Sequence, residues 1–278
     1  MTMFNKEKHN TQATREICFA VCSHTGKVRT NNEDNFYCNG ETLKQEKIYL
    51  NGTAESPCVF AVCDGMGGEA HGELASLTAA ETLDEHAEKI KLAASSDRVD
   101  EAVQFFISEA NDKICNIMRE NSFRMGTTLA LVVISDNSVM AYNIGDSRIY
   151  KFSNGVLSQI SEDHTMAQQK IKMGLLTPEE ARHDKSKHVL TRCLGVFEDE
   201  MVLIPNIISP LNIDKELRLL LCSDGLTDML SDLQIQDILR SNVDSKSAVN
   251  VLVDSALRNG GRDNITCLVI DFNSKGAE

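Results

Sequence analysis

Four aspartates stand where apolar runs begin or end, each close to a glycine. Val62-Cys63-Asp64-Gly65 is the first and Asn143-Ile144-Gly145-Asp146 the second. Leu221-Cys222-Ser223-Asp224-Gly225 is the third, and Gly260-Gly261-Arg262-Asp263-Asn264 puts a fourth just before the last apolar run. Glycine lets the backbone turn sharply and brings a carbonyl close to whatever the carboxylate holds. Aspartate and glycine also make ordinary turns, so one such site alone says little. Four of them at the ends of core strands point to a shared centre. If they converge, their charges repel, at about 4 kcal/mol per pair for ~4 Å and an effective dielectric near ~20. Such a cluster needs cations or shifted pKa values. An all-oxygen donor set suits magnesium or manganese rather than zinc or copper. A second segment, Gly26-Lys27-Val28-Arg29-Thr30-Asn31-Asn32-Glu33-Asp34, joins an arginine to an acidic pair. Arginine presents a planar fork of donors that matches a phosphate, although taken alone the segment reads more readily as a solvated loop.

The elements that must position these residues follow from hydrophobic pattern. Strands are expected at 16–23, 47–50 and 58–63, the last a fully apolar Cys-Val-Phe-Ala-Val-Cys. Helices are expected at 73–94 and 99–120, the second with Val103, Phe106, Ile107, Ala110, Ile114 and Ile117 on one face. Short strands follow at 127–135, 139–144 and 148–152, separated by Asp136-Asn137 and Ser153-Asn154-Gly155 turns. Residues 163–190 are polar and helical, with Thr177-Pro178-Glu179-Glu180 as a helix start: a cap, a proline at the first position and a capping-box glutamate. Strands resume at 201–208 and 217–222. Helices are expected at 231–240, opened by Ser231 and Gln234, and at 247–259, closed by Gly260-Gly261; a last strand runs over 264–272. That order favours antiparallel sheet over βαβ winding. We read a polar leader at 1–15, one domain at 16–272 with a helical flap at 165–190 inside it, and a loose tail at 273–278.

Composition narrows the function classes. The chain has 278 residues, 42% hydrophobic and 25% charged, which is ordinary globular usage. Its net charge of −13 repels phosphate backbones, and with no tryptophan a base-stacking platform is not expected, so nucleic acid is not the partner. The nine cysteines include no C-x-x-C pair, and six sit in apolar runs. They read as buried small hydrophobes in a reducing compartment. Residues 1–15 lack the apolar stretch of a secretory signal, and no run approaches the ~20 apolar residues of a spanning helix. The expectation is a cytoplasmic protein with no membrane partner.

From about Ile17 to Phe272 the chain resembles the metal-dependent protein serine/threonine phosphatases, the type 2C phosphatases, in their bacterial branch. Seven motifs carry the resemblance, in the family's order. They are Gly26-x-Val28-Arg29-x-x-Asn32-Glu33-Asp34, Asp64-Gly65-Met66-Gly67-Gly68, Gly126-Thr127-Thr128, Gly145-Asp146-Ser147-Arg148, Asp163-His164, Ser223-Asp224-Gly225-Leu226 and Gly261-Arg262-Asp263-Asn264-Ile265-Thr266. The resemblance implies an α+β fold: a four-layer α-β-β-α sandwich of two antiparallel sheets flanked by helices, with a small helical flap. It implies two Mn²⁺ or Mg²⁺ ions per subunit. Asp64 bridges them, the Gly65 carbonyl ligates one, and Asp224 and Asp263 ligate the other. Glu33 and Asp34 hold metal-bound waters, Arg29 clamps the substrate phosphate, and Asp146 with Asp224 matches a third metal site. The stretch Gly174 to Ala181 is typical of bacterial flaps. Where animal members carry a histidine after the bridging Asp-Gly, this chain has Met66, which leaves the general acid unassigned. His71 and His164 lie near the motifs but read more readily as structural histidines.

The implied reaction is hydrolysis of phosphoserine and phosphothreonine by direct attack of a metal-bridging water, opposing a cognate serine/threonine kinase in signalling. Neither a C-x₅-R nor a D-x-D-x-T/V nucleophile signature is present. Two other readings stay open: a catalytically silent pseudophosphatase that acts as a binding module, and a phosphatase of small phosphorylated metabolites. The flap carries Lys170, Lys172, Arg182, Lys185 and Lys187 in an otherwise acidic chain, a local positive charge suited to attracting acidic phosphorylated segments.

Overall fold

A computed structural model describes residues 16–272 apart from 44–46, 68–70, 95, 97, 201–202 and 214–215. The leader, the tail, Gly68 and the expected strand start at Met201 lie outside the described residues. In chain order the strands and helices are β1 (Glu16–His24), β2 (Asp34–Cys38), β3 (Glu41–Thr42), β4 (Lys47–Glu55), β5 (Cys58–Gly67), α1 (His71–Ala93), α2 (Val99–Asn121), β6 (Met125–Thr127), β7 (Leu129–Ile134), β8 (Ser138–Ile144), β9 (Arg148–Ser153) and β10 (Val156–Gln159). There follow α3 (Met166–Lys172), α4 (Pro178–Ala181), β11 (Asn206–Asn212), β12 (Arg218–Cys222), α5 (Asp224–Thr227), α6 (Asp232–Ser241), α7 (Ser245–Arg258) and β13 (Ile265–Phe272).

Two antiparallel sheets result, ordered β10-β9-β12-β13-β1-β4 and β11-β8-β7-β5-β2-β3, with β6 paired to the end of β5. The apolar runs explain the layering. Along β5, Val59, Ala61 and Cys63 join the cluster beneath α1 and α2, while Cys58, Phe60 and Val62 join the cluster between the sheets. Along β13, Leu268 and Ile270 face that inner cluster, and Cys267 and Val269 face α6 and α7. Strands buried on both faces lose the polar alternation of a half-exposed strand. The four layers are therefore helices, sheet, sheet, helices, as the resemblance implied.

Several boundaries differ from the sequence reading. β2 was not expected: Asp34-Asn35-Phe36-Tyr37-Cys38 is buried throughout, yet begins with two polar residues. β10 completes a hairpin with β9 through Asn154 and Gly155, both at positive φ. The strand expected at 201–208 is instead β11, an edge strand whose register shifts between Ile208 and Leu211. Pro210 sits in that shift; it has no N–H for the ladder and reads in sequence as a break. In the flap, Thr177 and Glu180 form the expected capping box, but only α3 and α4 are helical, and a bridge between Thr165 and Leu190 closes the segment.

Candidate metal centre

The predicted site residues come from both sheets and meet at one end of the sandwich. Arg29, Glu33, Asp64, Gly65, Asp146, Asp224 and Asp263 line one cleft of about 350 Å³, together with Met66 and His188. Asp34 lies just behind it, at the start of β2, with Asp64 as its cross-strand partner.

The flanking motif residues hold this frame. The Asp64 N–H donates to Thr128 Oγ1 at 2.9 Å, and its carbonyl accepts from the Thr128 N–H and the Thr127 hydroxyl. Thr128 Oγ1 in turn meets Ser147 Oγ at 2.6 Å. Gly65 is pressed between neighbours: a Cβ there would stand 2.0 Å from the Gly72 carbonyl oxygen and 2.5 Å from that of Glu33. Only glycine fits at this position. On the opposite sheet, Ser223 donates from Oγ to Asp34 Oδ2 at 2.7 Å. Asn264 Oδ1 accepts the Glu33 N–H at 2.8 Å, and its amide donates to the Thr25 and Asn31 carbonyls. These bonds tie the two sheets together beside the carboxylates.

The electrostatics are those of crowded like charges. Burial, aided by Asp224 and Asp263, pushes the Asp34 carboxyl up to about 7. Burial and the neighbouring charges of Asp34, Asp224, Asp146 and Asp263 hold Asp64 well above the usual carboxylate range. Asp146 is pushed up to about 8 by burial, then by Asp224 and Asp163. Burial also raises Glu33. Asp34 Oδ1 is buried and accepts no hydrogen bond. Asp146, only 8% exposed, accepts none from another side chain. An orphaned carboxylate oxygen and three carboxyls raised by burial and then by one another's charge fit a cation-binding cluster. The donor set is hard oxygen, as Mn²⁺ and Mg²⁺ prefer.

Arg29 donates from Nη2 to Asp263 Oδ2 at 2.7 Å, with its side chain half exposed. This pairing, and then the charges of Glu33 and Asp64, raise the guanidinium pKa. Neither histidine considered from sequence stands free. His71 stacks on Phe123 at 3.7 Å. His164 accepts the Gly145 N–H on Nδ1 at 3.1 Å, and burial lowers it to about 4, so it is neutral and braces the turn before Asp146. The histidine in the cleft is His188, which sequence reasoning missed. Its Nδ1 lies 3.0 Å from Asp224 Oδ2 and its Nε2 3.2 Å from Asp228 Oδ2. Hydrogen bonds to these two carboxylates raise it to about 10. Asp146, His188 and Asp224 each bring a ligand atom within 4.8 Å of the others. No spacing signal marked His188, since the flap offers many polar residues and only its folded path selects this one.

The flap charges also differ from expectation. Lys170 pairs with Asp184, Lys172 with Glu162, Arg182 with Asp232 and Lys187 with Asp228. Of the five basic residues, four are engaged, two of them with acids of the domain body on or beside α5 and α6. The flap cations chiefly fasten the flap.

Comparison with known proteins agrees with this geometry. The sequence profile of the protein phosphatase 2C family matches residues 39–259. The chain is 31% identical to the serine/threonine phosphatase Stp of Listeria monocytogenes over 258 residues, covering 91% of this chain and 96% of the relative. It is 32% identical to protein phosphatase PhpP of Streptococcus pneumoniae, covering 93% and 99%. Among solved structures it is similar to the catalytic domain of the serine/threonine protein phosphatase PstP in complex with two manganese ions. That match has a TM-score of 0.76 and 30% identity, covering 93% of this chain and all of the other.

Proposed function

The chain belongs to the protein phosphatase 2C family, and from that premise we propose that it is a metal-dependent protein serine/threonine phosphatase. The observation that carries the reading is the convergence of Asp64, Asp146, Asp224 and Asp263, with the orphaned Asp34 oxygen, beside a half-exposed arginine. Asp64, the Gly65 carbonyl, Asp224 and Asp263 would hold two Mn²⁺ or Mg²⁺ ions, and Asp146 with Asp224 a third. Bound divalent cations supply Lewis acidity, neutralising phosphoryl charge and making water nucleophilic at neutral pH. The protein's own groups do the rest. Arg29 spends one donor on Asp263 and keeps the remainder of its fork for phosphoryl oxygens, orienting the group for in-line attack. Glu33 and Asp34 would accept hydrogen bonds from water, with Asp34 steadied by Ser223. The Ser223–Asp34 and Asn264–Glu33 bonds preorganise the carboxylates before substrate arrives.

No helix among the described residues is long and apolar enough to cross a membrane. All nine cysteines are free thiols, which supports a reducing, cytoplasmic setting. The partners on this reading are phosphorylated proteins and the serine/threonine kinase that modifies them. Phosphate release from a phosphothreonine peptide, with Mn²⁺ and with a chelator, tests it. Release that needs Mn²⁺ and stops on chelation is expected; full activity in metal-free buffer would overturn the two-metal mechanism, and no release under any condition the activity itself.

A further inference from the structure

A second cavity, of about 660 Å³, opens between the flap and the body. It shares Asp146, His188 and Asp224 with the cleft at the carboxylate cluster, so the two adjoin along these residues. A phosphoryl group fills only a fraction of this combined space. The groove walls carry many charges, but nearly all are cancelled in place. Arg148 holds Asp163 through Nε and Nη2. Arg182 pairs with Asp232, Lys187 with Asp228, and Glu162 with Lys172. Among the described arginines and lysines that line the groove, Arg262 alone makes no ion pair. Its side chain is exposed and runs past Gly260, with Cγ 3.6 Å and Nε 3.7 Å from where a Cβ on that glycine would be. Half-buried Ile171 and Met229 give the same groove apolar surface.

We propose that this groove seats the polypeptide on one side of the phosphorylated residue, and that Arg262 selects an acidic side chain in that segment. The proposal rests on the phosphoprotein reading above. Two observations favour this occupant. The groove adjoins the reaction cleft, so whatever carries the phosphate must pass along it or away from it. The chain also carries a net charge of −13, which disfavours an acidic partner everywhere except beside an uncompensated cation. Arg182 and Lys187, the flap cations that line the groove, cannot fill that role because each already holds a carboxylate of the body. A guanidinium that holds no carboxylate at ion-pair distance can form a new pair without breaking an old one. It offers a fork that a flanking aspartate or glutamate matches.

The test uses the full chain saturated with Mn²⁺ and a set of phosphothreonine peptides. Within the set, Glu, Gln or Lys occupies the three residues before or after the phosphothreonine; a small aryl phosphate is run alongside. Wild-type kcat/KM should favour Glu over Gln by about fivefold on one side only, the upper end for an exposed ion pair, and the preference should shrink with salt. R262Q should level the Glu and Gln peptides, and R262E should favour Lys over Glu. Each ratio is taken within one enzyme, so a general loss of activity does not disturb it. A Glu-to-Gln ratio that is the same in wild type and R262E overturns the assignment of Arg262. Turnover of the aryl phosphate with no release from any peptide overturns instead the phosphoprotein reading beneath it.

Discussion

Asp146 offers the clearest measurement of what the carboxylate cluster costs the fold without cations. Its carboxyl is buried, accepts no hydrogen bond from another side chain, and is raised from 3.8 to about 8 by burial and by Asp224 and Asp163. Between these values the folded chain holds a proton that the unfolded chain has released. Native stability must therefore fall as pH rises through this window, by about 1.4 kcal/mol per pH unit. From pH 5 to 8 the loss from this one group is on the order of 4 kcal/mol. Asp34, raised to about 7, acts in the same direction up to that pH. His188, raised to about 10, contributes stability that is full below its ordinary value of 6.5 and declines above it. His164, lowered to about 4, opposes the trend, since its penalty disappears as pH rises to 6.5. Comparing Asp146→Asn with wild type removes the contributions common to both. Asparagine keeps the shape and sacrifices no side-chain partner. In chelator, the variant's advantage should grow by up to about 4 kcal/mol between pH 5 and 8, equivalent to roughly 10 °C in Tm for a domain of this size. Thermal and urea melts at the two pH values measure it. An advantage that stays constant or shrinks with pH would refute the claim that burial and the neighbouring carboxylates keep Asp146 protonated in the folded chain.

Asp224→Asn should lower the rate of phosphate release at least ~100-fold. It should also reduce the Tm rise produced by Mn²⁺, because a cation that binds only the folded chain stabilises it by mass action; melts with and without Mn²⁺ check the second point. Arg29→Ala should mainly raise KM, with a smaller effect on kcat, and Arg29→Lys should restore only part of the loss because it lacks the fork; steady-state kinetics decide. Thr177→Ala removes the side-chain half of the capping box on α4, leaving only the Thr177 N–H to the Glu180 carboxylate, and should destabilise the flap by about 1 kcal/mol. Limited proteolysis should then cut faster between 165 and 190 while the global melt is unchanged.

The parts of the fold legible in the sequence were those whose burial is uniform. The runs at β5, β7 and β13 are apolar because both faces are covered, and α2 shows its stripe because one face is solvated. The missed elements are those where tertiary contacts override local signals. β2 opens on Asp34 and Asn35, which are polar in sequence and buried in the fold. Asn35 is satisfied by the Leu43 backbone and Asp34 by Ser223. β11 crosses a proline at a sheet edge. The strand-end aspartates were readable because chemistry confines them to one residue type beside glycine. His188 and the pairing of the flap lysines were not, since an ion pair between the flap and α5 or α6 depends on where the chain returns and leaves no local pattern.

The position of the centre accounts for both its chemistry and its strain. Asp34 and Asp64 lie on strands of the sheet beneath α1 and α2, and Asp146 lies in the turn that crosses from that sheet to the other, whereas Asp224 and Asp263 flank strands of the sheet beneath α6 and α7. The inner apolar cluster draws the two sheets together along their length, but at this end closure brings carboxylates face to face. Hydrogen bonds span the same seam: the Ser223 hydroxyl donates to Asp34, and the Glu33 N–H donates to Asn264 Oδ1. Each contributes about 1 kcal/mol, against repulsions of several kcal/mol among buried charges. Protons offset the difference at low pH. On the metal-dependent reading proposed above, cations would take over that task as those protons leave, and so would serve the fold's closure at this end as well as its chemistry. A seam that needs divalent charge in order to close also presents that charge at the cleft where a phosphate dianion must bind.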